Sequence, residues 1–318
     1  MRSVDPASCR VVAAGLSCME LDWRAQFQRL EGAFAPSTIR AYLSDVGDFV
    51  SWCRDASCEP FPAEIGTVCR YIEDRAKWLS PGTLQRRTYA IAKAHRLLKL
   101  DDPTGDEEVN IAIRRVRRAR PCRPMQARGL TADYLAAFLA VQPDTPWGVR
   151  DRAMLSLGYD LLARRSELVA LETRDVMFQA DGTLRVLVRR SKADQFGMGR
   201  LAFSSKRSAE LLAAWLDWRG PDITPLFCRI YQSKPIDRAL SGDSVKILVK
   251  RSAQMAGVAS ADLPWFSGHS MRVGAAQDLL CRGHDTAAIM RAGGWKSVNV
   301  LARYLELAEH NVWTAVAR

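Results

Sequence analysis

Residues 267–276 read SGHSMRVGAA, and this segment opens a predicted helix that continues to about residue 282. His269 and Arg272 lie three residues apart, so both side chains project from one face of that helix. Taken alone, such a pair is usually a capping or surface feature. The rest of the sequence therefore has to decide between a structural pair and a functional one.

A second segment, residues 292–304, reads AGGWKSVNVLARY. Trp295 comes directly after two glycines, and Tyr304 follows nine residues later on a short predicted helix with apolar residues at helical spacing. A tyrosine in such a run is most often part of a core. By itself, the segment leaves open whether Tyr304 packs or reacts.

Charged residues upstream add to these two segments. Residues 164–168 read RRSEL after an apolar helical run, and Glu167 lies three residues after Arg164, on the same helix face. Lys192 lies in the loop between two predicted strands. Arginine, lysine, histidine and tyrosine are side chains that bind phosphates, transfer protons or act as nucleophiles.

In this order, these residues resemble the active-site signature of the tyrosine recombinases, the phage integrase family of site-specific DNA recombinases. The likeness is greatest to the Cre branch, which also has a tryptophan where many relatives have a second histidine. It covers most of the chain after about residue 35. The segments that carry it are Trp52 and residues 61–64, 83–85, 267–276, 292–295 and 298–300.

The resemblance implies an enzyme that cleaves and rejoins DNA through a 3′-phosphotyrosyl intermediate and a Holliday junction, without metal or ATP. Cleavage of a phosphodiester passes through a state whose negative charge lies on the non-bridging oxygens, and fixed cations stabilise that charge. The implied catalytic residues are Arg164, Glu167, Lys192, His269, Arg272, Trp295 and Tyr304.

Each residue type suits the role that the family gives it. Tyr304 would attack the phosphorus and release a 5′-hydroxyl, which Lys192 would protonate. Arg164 and Arg272 would hold the phosphate through paired donors, a geometry that lysine does not reproduce. His269 would donate a hydrogen bond to the phosphate or accept the tyrosine proton, since imidazole changes its charge near neutral pH.

The two remaining residues would support the others. Trp295 would offer its indole N–H to an oxygen and pack against Tyr304. Glu167 would orient His269 or an arginine rather than take part in the chemistry.

One position departs from the family pattern. An apolar residue usually follows the first arginine, whereas Arg165 stands there in this chain and makes the assignment ambiguous. The RxxE spacing to Glu167 selects Arg164 as the catalytic arginine and leaves Arg165 as a contact to backbone phosphate.

The composition agrees with a DNA-binding enzyme. The chain has 318 residues, with 46 Lys+Arg against 35 Asp+Glu, and its formal net charge of +11 favours a polyanionic partner. Its sequence has no apolar run of about 18 residues, which argues against a membrane span. The eight cysteines form no CxxC pair, and neither a phosphate-binding loop nor a cluster of carboxylates stands out. We therefore expect a cytoplasmic, nucleoid-associated protein without cofactors.

A dense basic stretch divides the chain. Residues 114–128 hold seven arginines, two prolines and no acidic residue, which favours an interdomain linker or a basic arm. The predicted fold is mainly α, with an N-terminal helical bundle (core-binding) of four or five helices and a mixed, mostly α catalytic domain with a small antiparallel sheet. The predicted divisions are an N-terminal extension and first helix (1–34), the bundle (35–118), a basic linker (119–130) and the catalytic domain (131–318) with a tail helix (305–318).

By resemblance, the two domains clamp double-stranded DNA at an inverted-repeat recombination site, and helix starts enter the major groove. Exposed arginines also occur simply as solvated helix faces, so each single position keeps that alternative. Asp243 stands where the Cre branch has a base-reading arginine, and an aspartate prefers a cytosine amine. The predicted DNA-binding residues are Arg40, Thr83, Arg86, Arg87, Arg114, Arg115, Arg117, Arg118, Ser241, Asp243, Ser244, Lys246, Lys250 and Arg251.

The resemblance also implies a homotetramer on two DNA sites, with the apolar tail after Tyr304 docked into a neighbouring subunit. Packing of the tail on its own domain is the alternative. Two other functions stay open at this point: a related strand transferase, such as an integrase, a dimer resolvase, a telomere resolvase or a type IB topoisomerase, and a DNA-binding regulator without catalysis. The complete set of catalytic residue types argues against the regulator.

Overall fold

The computed structural model of the protein describes residues 22–120, 126–189, 199–306 and 308. The chain divides into two compact units, Met1–Pro124 and Met125–Arg318. The division falls within residues 119–130, where the sequence predicts a linker.

The described part of the first unit is a bundle of five helices, as the sequence predicts. Two of the helices, α2 (Pro36–Asp55) and α4 (Pro81–Leu98), begin with a proline, whose fixed φ suits the first helical position. Ser80 caps α4 by accepting a hydrogen bond from the Thr83 backbone N–H at 3.2 Å. The helices are α1 (Trp23–Gln28), α2 (Pro36–Asp55), α3 (Ile65–Arg75), α4 (Pro81–Leu98) and α5 (Glu107–Ala119).

Helix α1 shares the core of this bundle. Trp23 and Phe27 pack in one buried cluster with Val46 of α2 and Ala90 of α4. The structure therefore has no domain boundary after residue 34, because the aromatic side chains before that point are buried by the helices that follow.

Helix α5 carries much of the arginine-rich stretch. Its apolar face is buried through Val109, Ala112, Ile113 and Val116, while the arginines between these positions are exposed. Residues 114–119 of the arginine-rich stretch therefore belong to an amphipathic helix.

The described part of the second unit is mostly helical with two small antiparallel sheets. In the three-stranded sheet, Val176 pairs with Val186 and Val186 with Ala202, so the predicted hairpin is confirmed with one additional strand. The elements are α6 (Ala132–Ala140), α7 (Pro146–Asp160), α8 (Arg165–Val169), β1 (Val176–Phe178), β2 (Leu184–Val188), β3 (Arg200–Phe203), α9 (Lys206–Arg219), β4 (Cys228–Tyr231), β5 (Lys234–Ala239), α10 (Gly242–Met255), α11 (Ser270–Cys281), α12 (Thr286–Gly293) and α13 (Val298–Leu305).

The sequence does not predict β1 or the β4–β5 hairpin. β1 has only three residues, and β5 reads KPIDRA, which has no regular alternation of apolar and polar residues. Both strands exist because a neighbouring strand supplies their backbone hydrogen bonds.

Helix α11 lies in the core of this unit. Residues 270–277 are all buried, as expected for a helix that has protein on every side. A polar side chain on this stretch is therefore forced into the interior and needs partners there.

Candidate active site

Arg272 of α11 lies at the centre of the candidate site and is fully buried. Its Nη1 atom donates a hydrogen bond to the carbonyl oxygen of Gly293 at 2.8 Å and another to the carbonyl oxygen of Leu162. These bonds join the turn after α7 to the end of α12. Within the described residues, its Nε and Nη2 atoms are buried and have no hydrogen-bond partner. Two nitrogen atoms of this guanidinium are therefore buried without a hydrogen-bond acceptor among the described residues.

Trp295 lies directly against this guanidinium. Its ring centroid is 3.7 Å from Cζ of Arg272, and its Nε1 atom is buried with no hydrogen-bond partner in the described part of the chain. The two glycines before it are required by geometry: a Cβ on Gly293 would lie 1.8 Å from the indole, and Gly294 has a φ of +67°. The GGW pattern therefore places an unpaired indole N–H beside an arginine with two unpaired donors.

Tyr304 of α13 packs against Trp295 on this side of the site. It is half-buried, and its ring meets the Trp295 ring edge-on at a centroid distance of 5.2 Å. Cζ of Arg272 lies 5.8 Å from the tyrosine ring centroid. Gln277 holds the backbone, because its Nε2 atom donates to the Tyr304 carbonyl oxygen at 3.2 Å. The structure thus brings residues 267–276 and 292–304 into contact through Arg272, Trp295 and Tyr304.

Glu167 organises the arginines on the other side of the site. Its side chain is 1% exposed, and it accepts hydrogen bonds from the Arg164 backbone N–H at 3.1 Å and from the Arg164 guanidinium. Arg200 contacts the same carboxylate, with 3.4 Å between Nη2 and Oε2. Glu167 therefore contacts both Arg164 and Arg200, and the second of these is not among the residues predicted from the sequence.

Arg200, at the start of β3, is the residue that sequence reasoning missed. It donates to the carbonyl oxygens of Ala292 at 2.7 Å and Leu161 at 2.8 Å, close to the two carbonyls that Arg272 binds. Burial lowers the pKa of its guanidinium from the ordinary value. Strand alternation could have indicated this position, since Arg200 shares a face with buried Ala202.

The charge of the site is unbalanced. Arg164, Arg200 and Arg272 surround the single buried carboxylate of Glu167. Burial, followed by repulsion from Arg164, lowers the pKa of Arg272 to about 10, so this arginine stays protonated at neutral pH. A bound anion would relieve the repulsion and pair the unused donors.

His269 lies just before α11, at the exposed edge of the site. Desolvation, and then the positive charges of Arg272, Arg165 and Arg164, lower the pKa of its imidazole below the ordinary value of 6.5. The neutral ring therefore predominates at pH 7 in the free protein. A neutral imidazole can accept a proton, which is the state that a general base needs.

The structure separates the two adjacent arginines that the sequence left ambiguous. Arg164 contacts Glu167 and is 16% exposed, whereas Arg165 points to Asp243 at the start of α10 and is 45% exposed. Of these two arginines, only Arg164 contacts the buried carboxylate of Glu167.

The predicted residue Lys192 lies outside the described residues, and so do residues 307 and 309–318 of the predicted tail. The predicted tail helix is described only at its start, where α13 ends at Leu305.

Arg87, a predicted DNA contact, lies largely inside the first unit. Its side chain is 15% exposed, and its Nη1 atom donates to Asp48 and, at 2.9 Å, to the Tyr71 hydroxyl oxygen. This arginine joins α2, α3 and α4 and is committed to internal partners. The sequence predicts a surface position here, because it does not show that Asp48 and Tyr71 face Arg87.

The other predicted DNA-binding residues are at least partly accessible. Arg86 pairs with Asp45 at 2.9 Å but remains 52% exposed, and Arg251 pairs with Asp151 and remains 45% exposed. The remaining exposed positions are Arg40, Arg115, Arg117, Arg118, Ser241 and Lys246, and the half-buried ones are Thr83, Ser244 and Lys250. Arg114 is exposed and pairs with Glu107 at 3.2 Å.

In the part of the chain that the structure describes, no group of three or more His, Cys, Asp or Glu residues is placed to hold a metal ion. Within the same residues, no helix has the length and apolar character that crossing a membrane requires.

A model of the phage integrase family matches residues 128–311 of the chain. The chain is also similar along most of its length to individual recombinases. It is 32% identical over 294 residues to an integrase/recombinase xerD homolog of Selenomonas ruminantium, covering 88% of this chain and 84% of that protein. It is 27% identical over 293 residues to the recombinase cre of Escherichia phage P1, covering 86% and 84%.

A solved structure agrees with the fold. The XerH site-specific recombinase, bound to palindromic difH substrate in a post-cleavage complex, matches with a TM-score of 0.63 at 15% identity and covers 90% of each chain. The architecture is therefore that of known DNA recombinases.

Proposed function

The chain belongs to the phage integrase family and is a site-specific DNA recombinase of the tyrosine type, and we propose that it cleaves DNA with the hydroxyl of Tyr304. In this reaction the tyrosine oxygen attacks a backbone phosphorus, the bond from phosphorus to the 5′ oxygen breaks, and a 3′-phosphotyrosyl link forms. The covalent link conserves the energy of the phosphodiester, so the 5′-hydroxyl of a partner strand can reseal the DNA through a Holliday junction without ATP.

One observation carries this proposal. Beside the Tyr304 ring, Arg272 and Trp295 bury donors that have no hydrogen-bond partner within the described residues. Buried donors without partners are costly, and they persist where a ligand completes them. A phosphate group offers non-bridging oxygens that would accept these hydrogen bonds.

The arginines supply electrostatic stabilisation. Arg272 is fixed by two carbonyl oxygens and Arg164 by Glu167, so their remaining donors are oriented before the DNA arrives. Charge that develops on the phosphate oxygens meets fixed cations in a poorly hydrated site, where one such donor typically contributes about 10²–10³ in rate.

Proton transfer uses two further groups. We assign to His269, whose lowered pKa favours the neutral ring in the free protein, the role of accepting the Tyr304 proton or donating to the phosphate. Lys192 remains our candidate for the acid that protonates the leaving 5′ oxygen, on the resemblance alone. Glu167 acts as a positioning residue, since it contacts arginines rather than the reacting atoms.

Binding of the DNA requires more than the active site. We assign the contacts to exposed basic and polar positions of both units, from Arg40, Thr83, Arg86 and the arginines of α5 in the first unit to the start of α10 in the second. Arg87 is left out, because its guanidinium is held inside the bundle. The excess of basic side chains makes this binding dependent on salt.

The proposal extends to assembly and location. A homotetramer on two recombination sites, closed by exchange of the apolar tail between neighbouring subunits, suits a reaction that exchanges strands between two duplexes. The protein would then work on the DNA of the nucleoid.

A nicked duplex tests the proposed chemistry. If the strand is nicked just beyond the cleavage position, the short 5′-hydroxyl fragment diffuses away after cleavage and the covalent complex accumulates. We expect a denaturation-resistant adduct whose DNA-linked peptide contains Tyr304. If sequence-specific binding occurs without an adduct, the chain would instead be a DNA-binding regulator.

Replacing Trp295 with phenylalanine should slow cleavage by about 10- to 100-fold, the effect of losing one hydrogen bond to a charged group. Phenylalanine keeps the packing against Arg272 and Tyr304 but has no N–H. Histidine at this position restores a ring N–H, so Trp295→His should recover part of the lost rate in single-turnover assays. Equal rates for the two variants would contradict a donor role.

The pKa of His269 should rise when DNA binds. In the free protein desolvation and then the neighbouring arginines hold this pKa below 6.5, and the phosphate would add a negative charge that favours the imidazolium. NMR titration of the Tyr304→Phe protein, alone and with duplex DNA, measures this shift, and His269→Gln identifies the resonance. An unchanged or lower pKa in the complex would place His269 away from the phosphate.

A further inference from the structure

Arg165 and Asp243 form an ion pair beside the active site. Nη1 of Arg165 lies 2.8 Å from Oδ1 of Asp243, and the two side chains are 45% and 76% exposed. Asp243 is in the first turn of α10, and Arg165 directly follows Arg164. The pair therefore joins the surface of the catalytic site to the start of a helix that we assign to DNA binding.

Neighbouring backbone, as well as Asp243, fixes the position of the Arg165 side chain. A Cβ on Gly268 would lie 3.1 Å from Cδ of Arg165, and one on Gly242 would lie 3.5 Å from its Cγ. The missing Cβ of Gly268, before α11, thus leaves space for the aliphatic part of the side chain, and Gly242 at the start of α10 packs beside it. Packing on the stem and a carboxylate on the head together orient the guanidinium.

Stability does not explain this arrangement. An ion pair with such high exposure contributes little to folding, because water screens the charges and both side chains lose freedom. An oriented, exposed guanidinium next to a phosphate-binding pocket is better explained by a ligand.

The carboxylate favours a base edge over a phosphate as that ligand. A phosphodiester beside Asp243 would meet a negative charge, and the pair has no net charge with which to attract it. The edge of a G·C base pair offers both acceptors and a donor: N7 and O6 of guanine suit the arginine, and the cytosine N4 amine suits a free carboxylate oxygen.

We propose that Arg165, oriented by Asp243, recognises a guanine in the major groove next to the cleavage position, so that the pair determines part of the target specificity. This inference rests on the proposed function, since it requires the active site to hold a DNA phosphate. It also replaces the sequence-based expectation that Arg165 contacts the DNA backbone.

Selection from a pool of random DNA duplexes tests the proposal. The wild-type protein and the variants Arg165→Ala, Asp243→Ala and Asp243→Asn are each used to enrich bound duplexes. In the wild-type selection we expect a guanine at one position of each half-site. Arg165→Ala should lose that preference about 5- to 100-fold, the discrimination that a bidentate contact provides, and keep the preferences at other positions.

The carboxylate variants separate orientation from charge. Asp243→Ala frees the guanidinium and should weaken the preference at the same position, whereas Asp243→Asn keeps an oxygen acceptor and should retain more of it. Asp243→Ala also adds a net positive charge, so its binding to all sequences should tighten at low salt. The double variant Arg165→Ala, Asp243→Ala should have the charge of the wild type but no preference for guanine.

Duplexes with 7-deazaguanine at the selected position provide an independent check, because they lack the N7 acceptor. Wild type should discriminate against them, and Arg165→Ala should not. Arg174→Ala is the matched control, since Arg174 is 71% exposed and pairs with Glu172 rather than with a residue of α10. Thermal unfolding of each variant confirms that the fold is retained.

Three results would overturn the inference. A uniform loss of affinity in Arg165→Ala, with a shallower salt dependence, would identify a phosphate contact. If Arg165→Ala selects the same sequences as the wild type, the pair is only a surface ion pair. If the wild type selects no guanine at this position, Arg165 does not recognise guanine. Failure of the proposed function looks different: wild type would then form no Tyr304 adduct on a nicked duplex of the selected sequence.

Discussion

Replacing Tyr304 with phenylalanine should abolish the covalent DNA adduct while leaving DNA binding and folding unchanged. The substitution removes only the hydroxyl, and the ring keeps its edge-on contact with Trp295 at 5.2 Å and its position 5.8 Å from Arg272. Without the phenolic oxygen there is no nucleophile, so the loss is complete rather than partial. The measurement is the fraction of nicked duplex that becomes denaturation-resistant protein–DNA complex.

Tyr231 provides a matched control for this result. It is an exposed tyrosine of β4, with 65% of its surface accessible, and it lies outside the candidate site. Tyr231→Phe should form the adduct as the wild type does. Residual adduct in Tyr304→Phe, or its loss in Tyr231→Phe, would move the nucleophile to another residue.

Replacing Arg272 with lysine should reduce the rate of cleavage by at least about 10³-fold, because more than one phosphate donor is lost in a preorganised site. A lysine ammonium cannot satisfy the carbonyl oxygens of Leu162 and Gly293 and also present two parallel donors to a phosphate. Single-turnover cleavage with saturating DNA gives the rate. Thermal unfolding should show a loss of stability as well, since those two buried carbonyl oxygens would compete for one ammonium.

Arg174→Lys controls for the change of residue type, because Arg174 is exposed and its ion pair is with Glu172. It should cleave at the wild-type rate. An Arg272→Lys protein that is folded and cleaves within about threefold of wild type would show that Arg272 is structural only, and another group would then have to stabilise the phosphate charge.

The electrostatic design of the site connects these predictions. Several arginines surround one buried glutamate, and the pKa of Arg272 is held down to about 10 by burial and by Arg164. Among the described residues the positive charge of the site thus exceeds the negative charge, and the proposed phosphate would pair with the excess. Because folding has already oriented these charges, little free energy of reorganisation is needed in the reaction step.

Much of the candidate site could be predicted from the sequence, because its residues lie in short local patterns. The three-residue spacing of His269 and Arg272 and the GGW motif before Trp295 depend only on local geometry. The structure adds the reason for the glycines, since the indole occupies the space that a Cβ on Gly293 would need. Helices with regular apolar spacing were predicted for the same reason.

Other features could not be predicted because they depend on residues far apart in the sequence. Arg87 looks like a surface arginine until Asp48 and Tyr71 are brought against it by the packing of α2 and α3. Arg200 looks like an ordinary strand residue until the carbonyls of Leu161 and Ala292 converge on it. The strand β5 likewise exists because β4 supplies its hydrogen bonds.

The sequence by itself determined the family and the mainly helical architecture, and it singled out Tyr304 as the proposed nucleophile, since each is recorded in residue types at short, regular spacing. Tertiary structure alone decided which charges are paired. It placed Arg164 on Glu167, Arg165 on Asp243 and Arg87 inside the bundle. The physical reason is that the environment of a charged side chain depends on distance and burial in space, which residue spacing along the chain does not specify.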